Sequence, residues 1–499
     1  MTAVAAVLPH LPVLQVVVPL ISAPICFLLR RGDLPWAFAT LISWLAFATS
    51  AVLLSTVMAD GPIHYEIGGW APPWGIEYVV DATNVLVLLL VSGIGAVVST
   101  YARRSVLAEI PASQRGLYYT AYLLCLAGLL GVTITGDAFN VFVFLEITSL
   151  SSYVLVASGA GIDRRALTAS YNYLVMGTVG ATFFVIGVGL LYMVTGTLNI
   201  ADLHERVPPL LHNRTIHVAF GFIVVGLGLK LALFPLHTWL PNAYTYAPSS
   251  GTAFLAATST KVSVYVLVRF LFVVFAPTSG LMALTMDYVL FPLAVIGMMA
   301  ATIAAIYQYN LKRLLAYSSI AQLGYMVLGI SYGTVDGLTA AILHLFNHAL
   351  MKGALFLALG CVMLRVGDVT MHGVRGLGRQ MPWTMAAFVV GGLSLIGVPL
   401  TVGFISKWYL VTAALEDDRW WVAGFIMASS LLAVIYIWKV VEAAYLREPP
   451  AGRTIREAPL AMLVPTWMLV LANIWFGVDA DLTVSVARTA AMSLLGVAP

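Results

Sequence analysis

The sequence contains few charged residues. They make up 9% of its 499 residues, and 61% of the residues are hydrophobic, whereas roughly 25% of the residues in an ordinary soluble domain are charged. This composition excludes a soluble globular protein and predicts a polytopic protein embedded in a lipid bilayer. The net charge of +3 is small, and neither a basic tail nor an arginine-rich arm is present, so we expect no nucleic-acid partner.

Cysteine is also rare, and the common cofactor and nucleotide motifs are missing. Cys26, Cys125 and Cys361 lie in apolar stretches without CxxC spacing, which supports neither a disulfide framework nor an iron–sulfur or other metal centre. The sequence has no Walker A motif, no GxGxxG turn and no Ser/His/Asp set. We therefore expect no metal and no cofactor, and a transporter rather than an enzyme.

What the chain does contain is a series of apolar runs along nearly its whole length. Runs of roughly 20 residues are long enough to cross a bilayer as helices, and they predict an all-α membrane protein with about fourteen transmembrane helices. The connection at 61–75 is rich in turn-forming residues and is predicted to be a surface loop. The fourteen spans are predicted near 11–30, 35–58, 78–100, 116–135, 138–158, 170–194, 217–240, 250–276, 284–307, 314–331, 337–363, 383–413, 421–445 and 458–477.

Basic residues are divided unequally between the loops on the two sides of the membrane. One set of alternate loops, beginning after the first span, holds fifteen of them, and the other set holds four. Short cytoplasmic loops carry the excess of Lys and Arg, so both termini are predicted on the non-cytoplasmic side of the cell's inner (cytoplasmic) membrane. The fifteen are Arg30, Arg31, Arg103, Arg104, Arg115, Arg164, Arg165, Lys312, Arg313, Arg365, Arg375, Arg379, Arg447, Arg453 and Arg456, and the four are Arg206, Arg214, Arg419 and Arg488.

Lysines are few, and most of them lie inside the predicted spans. The chain has six, and five of these are Lys230, Lys261, Lys352, Lys407 and Lys439. The pKa of a lysine falls readily on burial, whereas a guanidinium stays protonated, so a path that takes up and releases protons would use lysine. Snorkelling from a helix end is the alternative; it fits Lys439 best, which could instead pair with Glu442 one turn on.

Two of these lysines lie in spans that proline interrupts. The stretch GLKLALFPLHTWLP places Lys230 before Pro235 and His237, and GVPLTVGFISKWYLV places Pro399 before Lys407. Proline removes a backbone donor and turns the preceding residue away from helical geometry. A broken helix beside a buried amine is typical of transporter ion sites, and two such spans in comparable positions predict an inverted repeat with an ion site in each half.

One acidic residue, Glu146, lies near the middle of a span. A lone buried carboxylate would be neutral and costly, so we expect a basic partner, and Lys230 is the one we favour. If Glu146 approaches and leaves this lysine, the amine can load and unload a proton. A permanent structural ion pair is the alternative, and the sequence does not separate the two.

The run HLFNHALMK places three titratable groups on one helix face. His344, His348 and Lys352 are spaced at i, i+4 and i+8, which suggests a proton relay or a water-lined half-channel. A zinc site is a weaker interpretation, because the run lacks the glutamate of HExxH and no third ligand is evident. A hydrogen-bonded pair of core histidines remains a further alternative.

Several stretches together resemble the antiporter-like subunits that respiratory complex I shares with Mrp-type multisubunit sodium/proton antiporters. The resemblance covers roughly residues 80–445, and this set of motifs in one order is specific for the superfamily but does not identify the member. The stretches are TGDAFNVFVFLEITSLSSYVLV, GLKLALFPLHTWLPNAYTYAPSS, ATSTKVSVYVLVR, NLKRLLAYSSIAQLGYMVLG, HLFNHALMKGALFLALG and GLSLIGVPLTVGFISKWYLV.

The resemblance implies fourteen helices that include two inverted five-helix repeats, each with a broken helix. The implied organisation is N-terminal helices at 1–115, a first repeat at 116–276, a second repeat at 284–446, and a C-terminal helix and tail at 447–499. It also implies a proton path in the middle of the membrane. In that path Glu146 and Lys230 form the coupling pair, Lys261 is the bridging lysine, His344, His348 and Lys352 form the central relay, and Lys407 is the terminal group beside a neighbouring subunit.

Two functions are open at this point. The first is a D-type subunit of an Mrp-type antiporter that exchanges protons for Na⁺ or another monovalent cation; the chain length and residues Asn242 and Asn310, where many members have an acid, favour this branch. The second is a proton-pumping subunit of a redox-driven complex, such as complex I or a membrane-bound hydrogenase. A role beside a soluble zinc protein in inorganic-carbon uptake is a weaker third. In each case we expect other membrane subunits as partners.

Overall fold

The computed structural model of the chain describes residues 8–29, 32–275 and 280–497. Arg30 and Arg31 of the topology prediction, and the predicted domain boundary at residue 276, lie outside these residues. Within the described part the chain is almost entirely helical, and twelve of its helices are long and apolar enough to cross a membrane. The all-α polytopic membrane fold that the sequence predicted is therefore confirmed.

The helices follow one another with short connections. In chain order they are α1 (Leu11–Leu28), α2 (Leu34–Asp60), α3 (Ala82–Glu109), α4 (Arg115–Ile134), α5 (Ala138–Ala157), α6 (Arg165–Thr195), α7 (Ile200–Arg206), α8 (Arg214–Lys230), α9 (Leu240–Tyr246), α10 (Ser249–Arg269), α11 (Gly280–Thr285), α12 (Phe291–Ile306), α13 (Leu311–Ser331), α14 (Val335–Val366), α15 (Leu377–Gln380), α16 (Pro382–Ile396), α17 (Val402–Glu416), α18 (Trp420–Val441), α19 (Leu460–Val478) and α20 (Asp481–Leu495).

Two of the fourteen predicted spans are broken helices. The span predicted at 217–240 consists of α8, a non-helical segment at 231–239 and the short helix α9. The span predicted at 383–413 consists of α16, a non-helical segment at 397–401 and α17. The interruptions coincide with the predicted prolines. That the two halves of the chain are related to each other as inverted repeats stays a prediction.

The predicted loop at 61–75 is part of a small β-hairpin. Strands β1 (Ile63–Glu66) and β2 (Glu77–Val80) pair antiparallel, with Ile63 opposite Val80. Because β2 occupies residues 77–80, α3 begins at Ala82, after the predicted start at 78. Its first turn is fixed by Asp81, whose side chain accepts hydrogen bonds from the backbone amides of Thr83 and Asn84, as helix N-caps do.

Helix α14 forms the centre of the fold. It is buried along most of its length and packs against α3, α10, α13, α16, α17, α19 and α20. With 32 residues it extends over about 48 Å. Its ends are capped in the usual way: the Thr334 side chain accepts from the Gly337 amide, and Gly367 follows in the left-handed conformation, with φ 73°.

Loops of the arginine-rich set contact one another. Arg103 forms an ion pair with Asp33, and Arg365 donates to the Glu457 carbonyl at 2.7 Å. On the opposite set, Arg419 pairs with Asp287 at 2.7 Å. Each of these contacts joins two segments that the sequence places on the same side of the membrane. This supports the predicted alternation of the spans.

The C-terminal segment after the last predicted span is helical instead of a simple tail. Helix α20 buries a stripe of small and aliphatic residues that includes Val486, Ala487, Ala490 and Ala491, and this stripe packs against α3 and α14. The spacing at i, i+1, i+4 and i+5 is that of an amphipathic helix. Since the segment is only 15 residues long, the search for runs of about 20 apolar residues missed it.

Gly403 allows the two halves of the second broken helix to cross. A methyl group at this position would lie 1.8 Å from the Ser394 carbonyl oxygen in the last turn of α16. We expect Gly403→Ala to lower the free energy of unfolding by roughly 1–3 kcal/mol or more, because backbone atoms must move apart. Thermal unfolding in detergent measures this. Gly424→Ala in α18, where nothing lies within 4 Å, is the matched control, and an equal loss in both variants would contradict the crossing.

Candidate functional site

Four of the five lysines that the sequence places inside spans are buried in the helix bundle, and Lys439 is half-buried. Lys261 and Lys352 are 0% exposed, and Lys230 and Lys407 are 8% and 7% exposed. A charge at membrane depth costs several kcal/mol unless partners or water compensate it. The partners of each amine therefore indicate what the site can do.

The structure brings Lys230 and Glu146 together, as the sequence suggested. Lys230 is the last residue of α8, and its Nζ lies 3.4 Å from Glu146 Oε1 on α5. The same amine donates to the Ser149 hydroxyl at 2.5 Å. The Glu146 side chain is 25% exposed, against 7% for that of Lys230. The acid is thus the more accessible member of the pair, and the amine keeps a second acceptor if the acid moves away.

The non-helical segment after Lys230 provides polar groups beside the pair. Pro235 interrupts the helix, and the Trp239 indole donates to the Leu229 carbonyl at 3.0 Å, which also accepts from the Ala232 amide at 3.3 Å. His237 is half-buried and stacks on Phe234 with ring centroids 5.3 Å apart. The His237 Nδ1 atom is buried without a hydrogen-bond partner among the described residues. The break therefore holds an ionisable group that can bond water.

Lys261 lies in the middle of the bundle. Its amine donates to the Ala256 carbonyl and lies 3.4 Å from Thr260 Oγ1. No carboxylate in the described part of the chain forms an ion pair with it. Within the described residues this lysine therefore has only neutral partners, which suits a group that changes its protonation state.

The packing of α10 against α14 fixes the level of Lys261. A methyl group on Gly353 would lie 3.9 Å from Ala257, and one on Gly360 would lie 2.9 Å from Ser249. Residue numbers along α14 therefore decrease as the residue numbers of the facing part of α10 increase, so the two helices run antiparallel. Continuing from Ala257 by one turn places Lys261 level with the His348 region of α14.

His344 and His348 are one turn apart on α14 and stack with ring planes inclined by 5° and centroids 6.1 Å apart. Each of the two nitrogens of His344 has a partner: Nδ1 lies 2.9 Å from the Ser406 hydroxyl, and Nε2 lies 2.8 Å from Gln322 Oε1. Since the amide oxygen only accepts, Nε2 carries the proton and Nδ1 accepts from Ser406. His344 fits the description of a hydrogen-bonded core histidine.

His348 does not fit that description. It is 0% exposed, and neither of its ring nitrogens has a hydrogen-bond partner among the described protein groups. One turn further along α14, the Lys352 amine donates to the Leu315 carbonyl at 2.8 Å and to the Ser318 hydroxyl of α13. His348 thus lies between two bonded titratable groups with both nitrogens free to bond a mobile proton carrier such as water.

Lys407 occupies the break of the second interrupted helix. Its amine donates to the carbonyls of Leu395 and Ile396 at 3.0 and 2.8 Å, and to the Ser430 hydroxyl at 2.9 Å. It also lies 5.0 Å from the centroid of the Tyr325 ring. The carbonyls are at the C-terminal end of α16, where the helix dipole favours a cation. The break at Pro399 therefore creates the acceptors that hold this ammonium group.

Lys439 and Glu442 do not form the ion pair that the sequence suggested. The Lys439 amine donates to the Ile306 carbonyl at 2.6 Å, and Glu442 Oε1 accepts from Arg447 Nη2 at 2.8 Å. The chain makes a π-helical turn at 442–446, which brings residues five apart over one another. Glu442 consequently meets Arg447 instead of Lys439.

Lys312 is also buried, although the sequence places it in a loop. It is the second residue of α13, is 4% exposed and donates to the Ala247 carbonyl at 2.9 Å. It lines a cavity of about 250 Å³ on the arginine-rich side, together with Glu109 and Asp163. A hydrogen bond from the Arg165 guanidinium holds the pKa of Asp163 below its ordinary value, so this carboxylate stays ionised. The cavity is polar and reaches a buried amine.

Glu109 forms the inner wall of this cavity. Its carboxylate accepts from the Ser249 amide at 2.8 Å and from the Ser105 hydroxyl at 2.5 Å. The Ser249 amide opens α10, where a negative charge is favourable. Glu109 thus connects the arginine-rich side with the helix that carries Lys261.

Sequence reasoning missed the neutral partners of the charged groups. Ser149, Ser318, Gln322, Ser406 and Ser430 each contact a predicted site residue. One signal was available, because Ser318 and Gln322 are spaced at i and i+4 and so share one face of a predicted span. Serine is common in membrane helices, where its hydroxyl can bond its own backbone, so the other positions carry no such signal.

Comparisons with known proteins show relatives of the kind that the sequence motifs suggest, over nearly the whole chain. The family model described as "NADH:quinone oxidoreductase/Mrp antiporter, TM" matches residues 135–433. The chain is 42% identical to NADH-quinone oxidoreductase subunit N of Desulforudis audaxviator, over 95% of this chain and 97% of that protein. It is 29% identical to the D-type subunit of the Na(+)/H(+) antiporter of Bacillus subtilis, over 97% of each chain.

Solved structures show the same fold. A chain of the membrane-bound sulfane sulfur reductase, an archaeal respiratory membrane complex, superposes with a TM-score of 0.90 at 31% identity, over 97% of each chain. A chain of the Mrp complex from Dietzia sp. DQ12-45-1b gives 0.88 at 27% identity, over 99% of this chain and 98% of that one. A chain of respiratory complex I from Thermus thermophilus gives 0.76 at 26% identity, over 96% and 99%. The protein therefore belongs to the family of membrane subunits that NADH:quinone oxidoreductases share with Mrp antiporters.

Proposed function

We propose that the chain is the proton-translocating D-type subunit of a multisubunit monovalent cation/proton antiporter, with Na⁺ as the exchanged cation. As a member of the family it is an antiporter-like membrane subunit, not a catalytic enzyme on its own. In this proposal it works with other membrane subunits, and its termini lie on the non-cytoplasmic side of the inner membrane. The orientation follows from the excess of basic residues in one set of loops.

The observation that supports this proposal most directly is the row of buried titratable groups. It begins with Glu146 and Lys230, continues through Lys261 and the face of α14, and ends at Lys407. Each amine has neutral oxygen acceptors that remain after a charged partner leaves. A row of this kind can hold a proton at successive positions, and the membrane around it excludes bulk water.

The last part of the row runs from Lys352 along α14 to Lys407. Ser406 hydrogen-bonds to His344, and the next residue of α17 is Lys407. His348 lies one turn from His344 and one turn from Lys352. A proton that reaches Lys352 would therefore move to water bonded to His348. Because both nitrogens of His344 are hydrogen-bonded, its passage on to Ser406 would require the His344–Gln322 hydrogen bond to open. A further water would then link Ser406 to Lys407, since residues i and i+1 of a helix do not face each other.

Proton uptake would start at the cavity of Glu109 and Lys312. Lys312 and Ser318 lie on the same helix, six residues apart, which corresponds to about 9 Å along the axis. Ser318 accepts from Lys352. Two or three water molecules could bridge this distance, so the cavity would supply the central relay from the arginine-rich side.

A redox-driven complex is the second candidate. It is favoured by the 42% identity to a protein named as a subunit of an NADH-quinone oxidoreductase and by the TM-score of 0.90 to a chain of a respiratory membrane complex. The antiporter is favoured by a higher TM-score to the Mrp chain than to the complex I chain. The same proton path serves both.

Co-purification separates the two candidates. The tagged chain is isolated from its own host in a mild detergent, and its partners are identified by mass spectrometry and visible absorption. We expect small membrane subunits without flavin or iron–sulfur absorption, and Na⁺-dependent proton movement in inverted membrane vesicles. Partners that carry flavin, iron–sulfur or nickel–iron centres, with proton movement driven by their substrate, would instead support the redox-driven complex.

A further inference from the structure

A second cavity lies apart from the row of titratable groups, on the arginine-rich side of the membrane. It has a volume of about 270 Å³ and lies where α12 and α18 end, beneath the loop before α15. Its charged lining consists of Arg375, Lys439, Arg447 and Glu442. Glu442 pairs with Arg447, so the lining carries a net charge of +2 from Arg375 and Lys439.

The two remaining cations have unused donors. Within the described part of the chain, Lys439 makes one hydrogen bond, to the Ile306 carbonyl at 2.6 Å, out of the three that an ammonium group can make. The Arg375 Nε atom is buried and has no hydrogen-bond partner among the described residues. Neither residue has a carboxylate partner within the described chain. Since both residues line the cavity, it offers two cations with unused donors to an anion.

The surface next to the cavity is apolar. Ile303 on α12 and Leu431 and Ile435 on α18 are 44%, 66% and 45% exposed, and the two helices pack side by side. Tyr309, which lines the cavity, is 60% exposed, and Trp438 beside Lys439 is 55% exposed. Tyr and Trp are enriched at the headgroup level of membranes. The cations thus lie at the depth of lipid headgroups, with apolar helix faces extending towards the bilayer centre.

We propose that this cavity binds the phosphate of an anionic glycerophospholipid, whose acyl chains lie along α12 and α18. Basic pockets between transmembrane helices on the cytoplasmic side recognise such headgroups. Arg375 and Lys439 hold the phosphate, and Glu442 sets the strength of binding by neutralising Arg447. Lys439 and Glu442 consequently belong to a lipid site instead of the proton path. The proposal is independent of whether the chain works in an antiporter or in a redox-driven complex.

Lipid binding to the purified full-length chain tests the proposal. The probe is phosphatidylglycerol, added to the detergent-solubilised protein and measured by native mass spectrometry, with phosphatidylcholine as the uncharged comparison. We expect the double variant R375Q/K439Q to bind phosphatidylglycerol roughly tenfold to thirtyfold more weakly, since each cation near the surface contributes about 1 kcal/mol. Binding of phosphatidylcholine should not change. Glu442→Gln should strengthen binding of phosphatidylglycerol, which is the opposite of the effect expected for R375Q/K439Q.

The matched control is the double variant R379Q/R456Q, which removes the same charge from exposed positions on the same side. It should bind phosphatidylglycerol as the unchanged protein does. Equal weakening in both double variants, or none in R375Q/K439Q, would overturn the proposal. If inorganic phosphate at the same concentration displaces phosphatidylglycerol completely, the site recognises free phosphate, and the assignment to a lipid is wrong.

Discussion

Replacing Lys230 by arginine should abolish proton translocation although the positive charge is kept. The Lys230 amine is held by Glu146 and Ser149, and the variant retains a cation that can bond both. A guanidinium does not release its proton, whereas the proposed path needs a group that does. We expect the rate of proton movement to fall by roughly a hundredfold or to background, the size of effect seen when a positioned proton carrier is lost. A pH-sensitive dye in membrane vesicles measures the rate.

This variant also separates the two interpretations of the Glu146–Lys230 pair. A permanent structural ion pair would tolerate arginine, so flux close to that of the unchanged protein in Lys230→Arg would contradict the switch. Arg379→Lys, a conservative exchange at an exposed position, is the control for handling and expression. Assembly of the complex must be equal in both variants, as judged by size-exclusion chromatography.

Replacing Lys407 by glutamine should have the second large effect. The Lys407 ammonium donates to the carbonyls of Leu395 and Ile396 and to Ser430. Glutamine is nearly as long and can donate to two of these acceptors, so the break in the helix stays satisfied, but it cannot carry a proton. We expect proton flux to fall by roughly a hundredfold while the thermal stability of the complex changes little.

Two further variants show whether a loss of flux in Lys407→Gln comes from the lost proton carrier. Ser430→Ala removes one of the three acceptors and should reduce flux only in part. Leu415→Ala, at a 53% exposed position of the same helix, should leave flux unchanged. A Lys407→Gln variant that assembles and translocates protons at the ordinary rate would show that Lys407 is only a structural cap of α16.

Much of the fold could be predicted because membranes restrict it strongly. Each span must be apolar over about 20 residues and must satisfy its own backbone, so the fourteen spans follow from hydrophobicity alone. The prolines also locate both breaks. The hairpin at 63–80 and helix α20 were missed, because neither is long and apolar enough to register as a span.

The charged groups of the candidate site could be predicted, but their neutral partners could not. A lysine or a glutamate inside an apolar run is rare enough to be a signal, which identifies Lys230 and Glu146. The hydroxyl of Ser406 becomes important only because α14 and α17 cross beside it. Contacts of this kind depend on tertiary packing, which the periodicity of the sequence does not reveal.

One alternative and one assignment at the ends of helices do not hold, for local reasons. Glu442 pairs with Arg447 instead of Lys439 because a π-helical turn replaces an α-helical one. Lys312 was counted among loop residues, but the chain folds back so that Ala247 covers it. At the edge of a span, a shift of a few residues decides whether a charge is exposed, and hydrophobicity does not resolve that shift.

The most direct test of the proposed path is proton flux through the Lys261→Met variant of the purified complex in liposomes. Lys261 is fully buried, has no carboxylate partner in the described chain, and lies on α10, which contacts both helices of the first broken span and the central helix α14. Methionine keeps most of the volume and removes an unpaired amine from the core, so the fold should persist. We predict flux no greater than that of empty liposomes, with the complex intact. Flux at the unchanged rate through the intact variant complex would contradict a path along the buried lysines.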